Sequence, residues 1–124
     1  FQVFFVDLNA FKPINDTFGH AVGDMVLREV GKRLRQETRE SDTIARIGGD
    51  EFVVVVPGMT HHQSTANIAE RLRQAVSEPV RTGDHVIAIR ASVGWAVYPD
   101  DATTIPEILE LADQRMYREK LAAA

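Results

Sequence analysis

Two glycines followed by two carboxylates, Gly48, Gly49, Asp50 and Glu51, form a segment whose residue types could handle phosphate chemistry. Paired glycines tolerate the positive φ of a tight hairpin turn and let a large anionic ligand approach the backbone without meeting a Cβ atom. Adjacent carboxylates can hold a cation such as Mg²⁺ beside phosphate groups. Taken alone, Gly-Gly-Asp is more often an ordinary solvated turn. The interpretation therefore depends on the residues around it.

A third acidic residue, Asp7, closes an apolar run over 1–6 that reads as a buried strand. Asp50 lies on the predicted hairpin and would meet Asp7 if the two strands are neighbours in one sheet. Two carboxylates that converge from different strands can form a two-metal site for phosphoryl transfer, in which the metals draw charge from a triphosphate and activate an attacking hydroxyl. The alternative for an isolated Asp at a strand end is that it caps the following turn.

Hydrophobic periodicity predicts the elements that position these acids. Strands are expected over 1–6, 43–47, 52–56, 79–81 and 85–98, a helical turn over 11–15, and helices over 21–35, 64–76 and 105–121. The last strand alternates apolar and other residues, which is typical of a half-buried strand. Strand, helix, strand, strand, helix, strand, helix with adjacent hairpins indicates an α+β sandwich.

Composition indicates one domain over 1–124, because 124 residues with 44% hydrophobic content can bury a single core. A net charge of −4 argues against binding to nucleic acid polymers. The chain contains no cysteine, so no disulfide framework is expected. It also lacks a long apolar run, so we expect no direct membrane contact from this segment. The chain opens without methionine inside a strand, so we expect an N-terminally truncated fragment of a longer multidomain protein.

Gly-Gly-Asp-Glu-Phe at 48–52 is the signature after which the GGDEF family, the bacterial diguanylate cyclases, is named. The segments Asp-Leu-Asn-Ala-Phe-Lys-Pro-Ile-Asn-Asp at 7–16 and Gly-His-Ala-Val-Gly-Asp at 19–24 resemble the family's two other signatures, in order and at fitting distances. The resemblance covers essentially the whole chain. It implies a ferredoxin-like, nucleotide-cyclase-like sandwich with a mainly antiparallel central sheet flanked by helices.

The resemblance also implies an activity and its partners. A diguanylate cyclase condenses two GTP molecules into cyclic di-GMP and two pyrophosphates, with Mg²⁺ or Mn²⁺ as cofactor. Each domain holds one GTP, so turnover requires a transient homodimer. The expected location is the bacterial cytoplasm, in a parent protein that could carry a membrane anchor.

By resemblance, the metals are held by Asp7, the carbonyl of Leu8, Asp50 and Glu51. Asp50 and Glu51 are the expected catalytic residues. Two roles stay open for Glu51, which could ligate the second metal or help to remove the proton of the 3′-hydroxyl.

Binding of GTP is expected from residues spread along the chain. The matching positions are Phe11 (through its backbone amide and that of Ala10), Lys12, Asn15, His20, Asp24, Gly48, Gly49 and Lys120. A carboxylate can accept the two adjacent donors of guanine while an amide donates to its acceptors, and these are the roles that Asp24 and Asn15 match. The alternatives are that Asn15 caps a helix, that Asp24 favours a helix N-terminus, that His20 makes structural hydrogen bonds and that Lys12 is a solvated surface lysine.

Shortly before the glycine pair, Arg39 and Asp42 resemble the family's inhibitory Arg-x-x-Asp motif at its usual offset. There Arg39 would bind a guanine or phosphate of the product, and Asp42 would accept from a guanine edge. The alternative is a surface ion pair that contributes little to stability.

Three departures from the family pattern bear on activity. Asn9 replaces a frequent Asp, the Gly-Arg expected after Lys120 is replaced by the alanine-rich tail 121–124, and the family's leading Leu-Thr-Gly-Leu-x-Asn-Arg run is missing. The alternative function is therefore a catalytically silent GGDEF module, acting as a cyclic di-GMP receptor or as a GTP-binding regulator of an adjoining domain.

Overall fold

A computed structural model of the chain describes residues 1–58 and 62–123, so the end of the tail at Ala124 lies outside the described residues. The elements are β1 (Gln2–Asn9), α1 (Phe11–Phe18), α2 (His20–Gln36), β2 (Thr43–Arg46), β3 (Glu51–Val56), α3 (His62–Val76), β4 (Val80–Thr82), β5 (His85–Ile87), β6 (Arg90–Val97) and α4 (Ile105–Ala123). Among the described helices, none is both long and apolar enough to cross a membrane.

The main sheet has four strands in the order β2-β3-β1-β6, and β4 and β5 form a separate two-stranded sheet. Every neighbouring pair in the main sheet is antiparallel. This strand order, with helices between β1 and β2 and between β3 and β6, is that of a ferredoxin-like core. The predicted α+β sandwich with an antiparallel central sheet is confirmed.

Strand β1 lies at the centre of the sheet and is buried on both faces. Phe4, Val6 and Leu8 belong to one core, which α1, α2 and α3 cover. Val3 and Phe5 alternate with them and belong to a second core under α4. Because successive side chains of a strand point to opposite faces, a strand covered on both sides reads as a continuous apolar run. This explains the uninterrupted hydrophobic start of the chain.

Helical spacing predicts an apolar stripe on α2 of Val22, Val26, Val30 and Leu34, widened by Met25 and Leu27. The stripe is largely confirmed, since Val26, Leu27, Val30 and Leu34 are buried. The inclusion of Met25 in that stripe is wrong, because its side chain is exposed. Met25 precedes Val26 by one residue and therefore points about 100° away from it around the helix.

The prediction of one half-buried strand over 85–98 is wrong in two respects. The segment divides into β5, which pairs with β4, and β6, which pairs with β1. In addition, β6 is covered on both faces, because Ser92, Gly94 and Ala96 are buried on the side where α4 packs. These residues are small, so the alternation of large apolar residues hid a second covered face.

Gly94 allows α4 to approach β6 closely. A Cβ atom at position 94 would lie 2.0 Å from the backbone nitrogen of Met116 and 2.3 Å from the carbonyl oxygen of Ala112. Both atoms belong to the helix backbone, so a side chain at this position would push α4 off the sheet.

Replacing Gly94 with Ala should lower the free energy of unfolding by about 2 kcal/mol or more, because the helix backbone cannot move aside cheaply. The measurement is urea denaturation. Gly31→Ala is the matched control, since its Cβ would meet only the ring of Phe52 at an ordinary 3.7 Å. Alanine in this helix interior should be neutral or stabilising. Equal effects of the two substitutions would contradict this account of the packing.

Side chains of α4 form hydrogen bonds with backbone groups on the outer edge of β6. Glu119 accepts a hydrogen bond from the amide of Val93 at 3.0 Å, and Arg115 donates to the carbonyl of Trp95 at 2.9 Å. Covering the polar backbone of an edge strand in this way protects it from pairing with other chains. The same bonds fix the position of the C-terminal half of α4 against the sheet.

Candidate active site

Three carboxylates meet where β1 and β3 run side by side. Asp7 pairs with Glu51 across the two strands, and the amide of Leu8 donates to the carbonyl of Asp50 at 3.1 Å. One ligand oxygen from each of Asp7, Asp50 and Glu51 lies within 4.8 Å of the others. The expectation that the strands of Asp7 and Asp50 are neighbours is confirmed.

Asp7 lies within β1 rather than at its end. The strand continues to Asn9 because β6 pairs with it as far as Asn9 and Arg90. The predicted strand end at residue 6 is therefore wrong, and the turn-cap alternative for Asp7 fails with it.

The hairpin between β2 and β3 presents the two glycines to solvent. It is closed by the amide of Ile47, which donates to the carbonyl of Glu51 at 3.0 Å. Neither Gly48 nor Gly49 has a positive φ, so that part of the prediction is wrong. A Cβ at Gly49 would meet nothing within 4 Å, and one at Gly48 would meet only the side chain of Glu51 at an ordinary 3.6 Å. Neither a positive φ nor internal packing requires glycine at these two positions, and the space beside Gly49 is open.

Asp7 carries an incompletely compensated negative charge. Its side chain is buried, and its Oδ2 accepts a hydrogen bond from Nζ of Lys120 at 2.9 Å. Its Oδ1 is buried and has no hydrogen-bond partner in the described part of the chain. Burial raises the pKa of the Asp7 carboxyl, and the nearby charge of Asp50 raises it too, while the bond from Lys120 lowers it. A buried carboxylate oxygen without a partner is a suitable ligand for a cation.

Glu51 adds to the same excess of negative charge. Burial raises its pKa, and repulsion from Asp7, Asp113 and Asp50 raises it further. Lys120 is the cation that opposes these effects. The donor set is made of oxygens alone, which suits Mg²⁺ or Mn²⁺ better than softer metals. The residues present therefore fit the divalent metal expected from the sequence.

Binding of Mg²⁺ should stabilise the protein more strongly as the pH rises above the ordinary carboxyl pKa values of 3.8 and 4.5. The raised pKa values of Asp7 and Glu51 mean that the folded, metal-free protein holds their protons more tightly than the unfolded chain does. Their contribution to stability is present below the ordinary values of 3.8 and 4.5 and is lost as the pH rises through the raised values. A metal needs the ionised carboxylates, so it should offset this loss. The measurement is the gain in Tm on adding MgCl₂ at each pH, and a gain independent of pH would contradict the assignment.

Replacing Asp50 with Asn should raise the Tm of the metal-free protein by roughly 1 to 5 °C, since it removes a like charge beside Asp7 and Glu51. The same variant should lose the gain in Tm on adding Mg²⁺. Asp84→Asn is the matched control, because it makes the same charge change at an exposed residue between β4 and β5. A destabilised Asp50→Asn protein would show that Asp50 is structural.

The turn into α1 follows the acidic cluster directly. Ala10 precedes the helix with φ 58° and ψ 35°, a left-handed conformation that costs a non-glycine residue energy. The side chain of Phe11 is buried in the core, so only its backbone faces a ligand, while Lys12 is exposed. Asn9, which stands where the family often has Asp, accepts a hydrogen bond from Oγ of Ser92 at 3.0 Å.

The residues expected to read guanine lie on α1 and α2. Asn15 lies inside α1, and the turn to α2 is made at Gly19, whose amide donates to the carbonyl of Asn15 at 2.8 Å. The residue preceding α2 is Gly19, with no side-chain cap, and no acidic residue lies in the first turn of α2. The alternative that Asn15 caps a helix is therefore wrong, and so is the alternative that Asp24 serves the N-terminus of α2, because Asp24 lies beyond its first turn. Asp24 and His20 are exposed on α2, and Asn15 is half-buried.

Arg39 and Asp42 lie in the turn before β2. The buried carboxylate of Asp42 accepts a hydrogen bond from the backbone amide of Arg39 at 2.8 Å, so it closes the turn. In the part of the chain described here, the two side chains form no ion pair, and that of Arg39 is exposed. Both residues line a cavity of about 320 Å³ together with Arg71 of α3.

Two contacts of these sites were missed from the sequence. Lys120 and Asp7 are 113 residues apart, and no local spacing connects them. Arg71 reaches the cavity of Arg39 only because α3 packs beside α2. The family resemblance places Lys120 among the residues that bind GTP and gives no indication of its contact with Asp7.

A family model described as diguanylate cyclase, GGDEF domain, matches residues 1–124, so the chain belongs to the GGDEF-domain family. The chain is 43% identical to the bifunctional diguanylate cyclase/cyclic di-GMP phosphodiesterase MucR of Pseudomonas aeruginosa, over 97% of this chain and 17% of MucR. It is 38% identical to the diguanylate cyclase TpbB of the same species, over 98% of this chain and 28% of TpbB. The chain thus spans less than a third of either relative.

Solved structures agree with the fold. The crystal structure of the GGDEF domain of TpbB, also called YfiN, superposes with a TM-score of 0.93 at 38% identity and covers 98% of this chain and 76% of that one. The GGDEF domain of DgcB from Caulobacter crescentus, in complex with c-di-GMP, superposes with a TM-score of 0.84 at 29% identity, over 98% of this chain and 72% of that one. Both likenesses support the nucleotide-cyclase-like fold.

Proposed function

We propose that this domain is a diguanylate cyclase that condenses two GTP molecules into cyclic di-GMP. The observation that carries the proposal is the cluster of Asp7, Asp50 and Glu51 beside the Gly-Gly hairpin. A buried carboxylate oxygen without a partner, oxygen-only donors and an open approach over Gly49 together suit a metal-bound triphosphate. Relatives named as diguanylate cyclases add support.

The reaction divides between metal and protein groups. Asp7, the Leu8 carbonyl, Asp50 and Glu51 would hold Mg²⁺ or Mn²⁺, which would supply the positive charge that a triphosphate requires. As a member of the carboxylate cluster beside the hairpin, Glu51 is the candidate either to ligate the second metal or to receive the proton of the 3′-hydroxyl. The new bond joins this oxygen to the α-phosphate, and the bond to pyrophosphate breaks.

We propose that Lys120 contacts Asp7 in the absence of metal and the phosphates of GTP when metal is bound. In this structure its ammonium donates to Asp7 at 2.9 Å, so it compensates the carboxylate that would bind the metal. If a divalent cation were held by Asp7, the Lys120 ammonium would no longer be needed to compensate that carboxylate and would be available to the phosphates of GTP. Lys12 is exposed beside the turn into α1 and supplies a second positive charge for them.

Guanine recognition falls to Asn15 and Asp24, with His20 nearby. Asp24 accepts from the two donors of the base and the amide of Asn15 donates to an acceptor, an arrangement that adenine cannot match. Each domain holds one GTP, and the attacking hydroxyl comes from the GTP of a second domain. Turnover therefore requires a transient homodimer.

The test is chromatography of the nucleotides after incubating concentrated protein with GTP and Mg²⁺. Cyclic di-GMP is expected with the unaltered chain and should be absent with Asp50→Ala, and its rate of formation should rise more steeply than linearly with protein concentration. Product from the Asp50→Ala protein at an unchanged rate would refute the catalytic assignment. A strictly linear rate would refute the homodimer.

Arg39→Ala should keep synthesis and relieve inhibition by added cyclic di-GMP, because the exposed guanidinium is the group available to bind product beside the cavity at Asp42. The readout is the concentration of cyclic di-GMP that halves the initial rate, which should rise by about tenfold or more. Arg81→Ala, at an exposed residue of β4, is the matched control. Unchanged inhibition in the Arg39→Ala protein would refute the assignment of product binding to Arg39.

A second candidate is a GTP-binding module that regulates an adjoining catalytic domain. It is suggested by the relative MucR, which is named as both a diguanylate cyclase and a cyclic di-GMP phosphodiesterase. This candidate predicts that GTP raises the Tm of the domain while no cyclic di-GMP forms at any protein concentration.

A further inference from the structure

We propose that Gly23 is a positioning residue for guanine selection, because its missing side chain leaves the space that the amide of Asn15 occupies. The inference rests on the proposed function, which gives Asn15 its contact with the base. It assigns a specificity role to a residue that has no atom suited to bind a ligand.

The space for a side chain at position 23 is limited mainly by the side chain of Asn15. A Cβ atom built at position 23 would lie 1.7 Å from Oδ1 and 2.9 Å from Cγ of Asn15. It would lie 3.3 Å from Cζ of Phe11, which is tighter than an ordinary contact. The amide of Asn15 thus occupies the space beside the bare backbone of α2 in which a side chain at residue 23 would begin.

The backbone gives no competing reason for glycine at position 23. The residue lies in the interior of α2 and its φ is not positive, so any residue could adopt its conformation. Glycine is also a poor helix former in such a position. The close approach of Asn15 therefore stands as the reason for glycine.

A methyl group at position 23 would displace the amide rather than break the fold. The atoms that it meets first are the end of the Asn15 side chain, which is half-buried and forms no side-chain hydrogen bond within the described ranges. Side-chain rotation relieves such a clash, whereas a clash with the backbone, as at Gly94, does not. The cost should appear in base recognition, because the displaced amide no longer reaches its guanine acceptor.

The experiment measures the affinity of GTP and ATP analogues with a methylene group between the α- and β-phosphates, by calorimetry in Mg²⁺. Gly23→Ala and Asn15→Ala should each reduce the preference for the guanine analogue by about tenfold. The double variant should lose no more than either single variant, since both changes remove one interaction. Gly31→Ala, the matched glycine of the same helix, should keep the full preference.

The outcomes separate this inference from the proposed function. If the unaltered protein shows no preference for guanine, both the proposed function and this inference are overturned. If Asn15→Ala loses the preference but Gly23→Ala keeps it, the inference alone is overturned. Failure of Gly23→Ala to fold would also overturn it, because Gly23 would then serve packing. A double variant of Gly23→Ala and Asn15→Ala that is as stable as Asn15→Ala alone would support the inference, because the added methyl group then has no Asn15 amide to displace.

Discussion

Two carboxylates face each other across the two central strands of the sheet, and the rest of the structure must accommodate them. Asp7 and Glu51 are direct partners in the pairing of β1 with β3. Like charges in directly opposite positions destabilise a sheet, and burial of Asp7 makes the repulsion stronger. The raised pKa values of both residues express the same cost. A nearby cation can relieve it while both carboxylates stay ionised and the register is kept.

Helix α4 supplies that cation within the chain, and its placement depends on several weak constraints. Gly94 lets the helix backbone approach the sheet, and Glu119 and Arg115 fix it to the edge of β6. Lys120 then reaches Asp7 from the same helix. The small residues of β6 therefore affect the acidic cluster indirectly. If α4 lay farther from the sheet, Lys120 would not reach Asp7 to compensate its charge.

The local elements could be predicted from the sequence, while contacts between distant elements could not. Periodicity marked the buried face of α2, and the signatures at 7–16 and 48–52 indicated the converging acids and the family. Periodicity missed the second covered face of β6, because Ser92 and Gly94 do not look like core residues. Arg33 was missed in the same way: it donates to the carbonyls of Val76 at 3.3 Å and Pro79 at 2.8 Å and so satisfies the end of α3. Such bonds depend on tertiary packing that no spacing reveals.

The glycines show how far physical reasoning can separate folding from function. Gly94 is required by the backbone of α4, so its reason lies within the fold. Gly49 is required by neither a positive φ nor internal packing, which agrees with the proposed approach of GTP to this hairpin. Gly23 is intermediate, because the space it leaves is filled by a side chain that has no hydrogen bond of its own within the described residues. Gly94 therefore serves stability, whereas the open space at Gly49 and the Asn15 amide beside Gly23 lie where we propose that GTP binds.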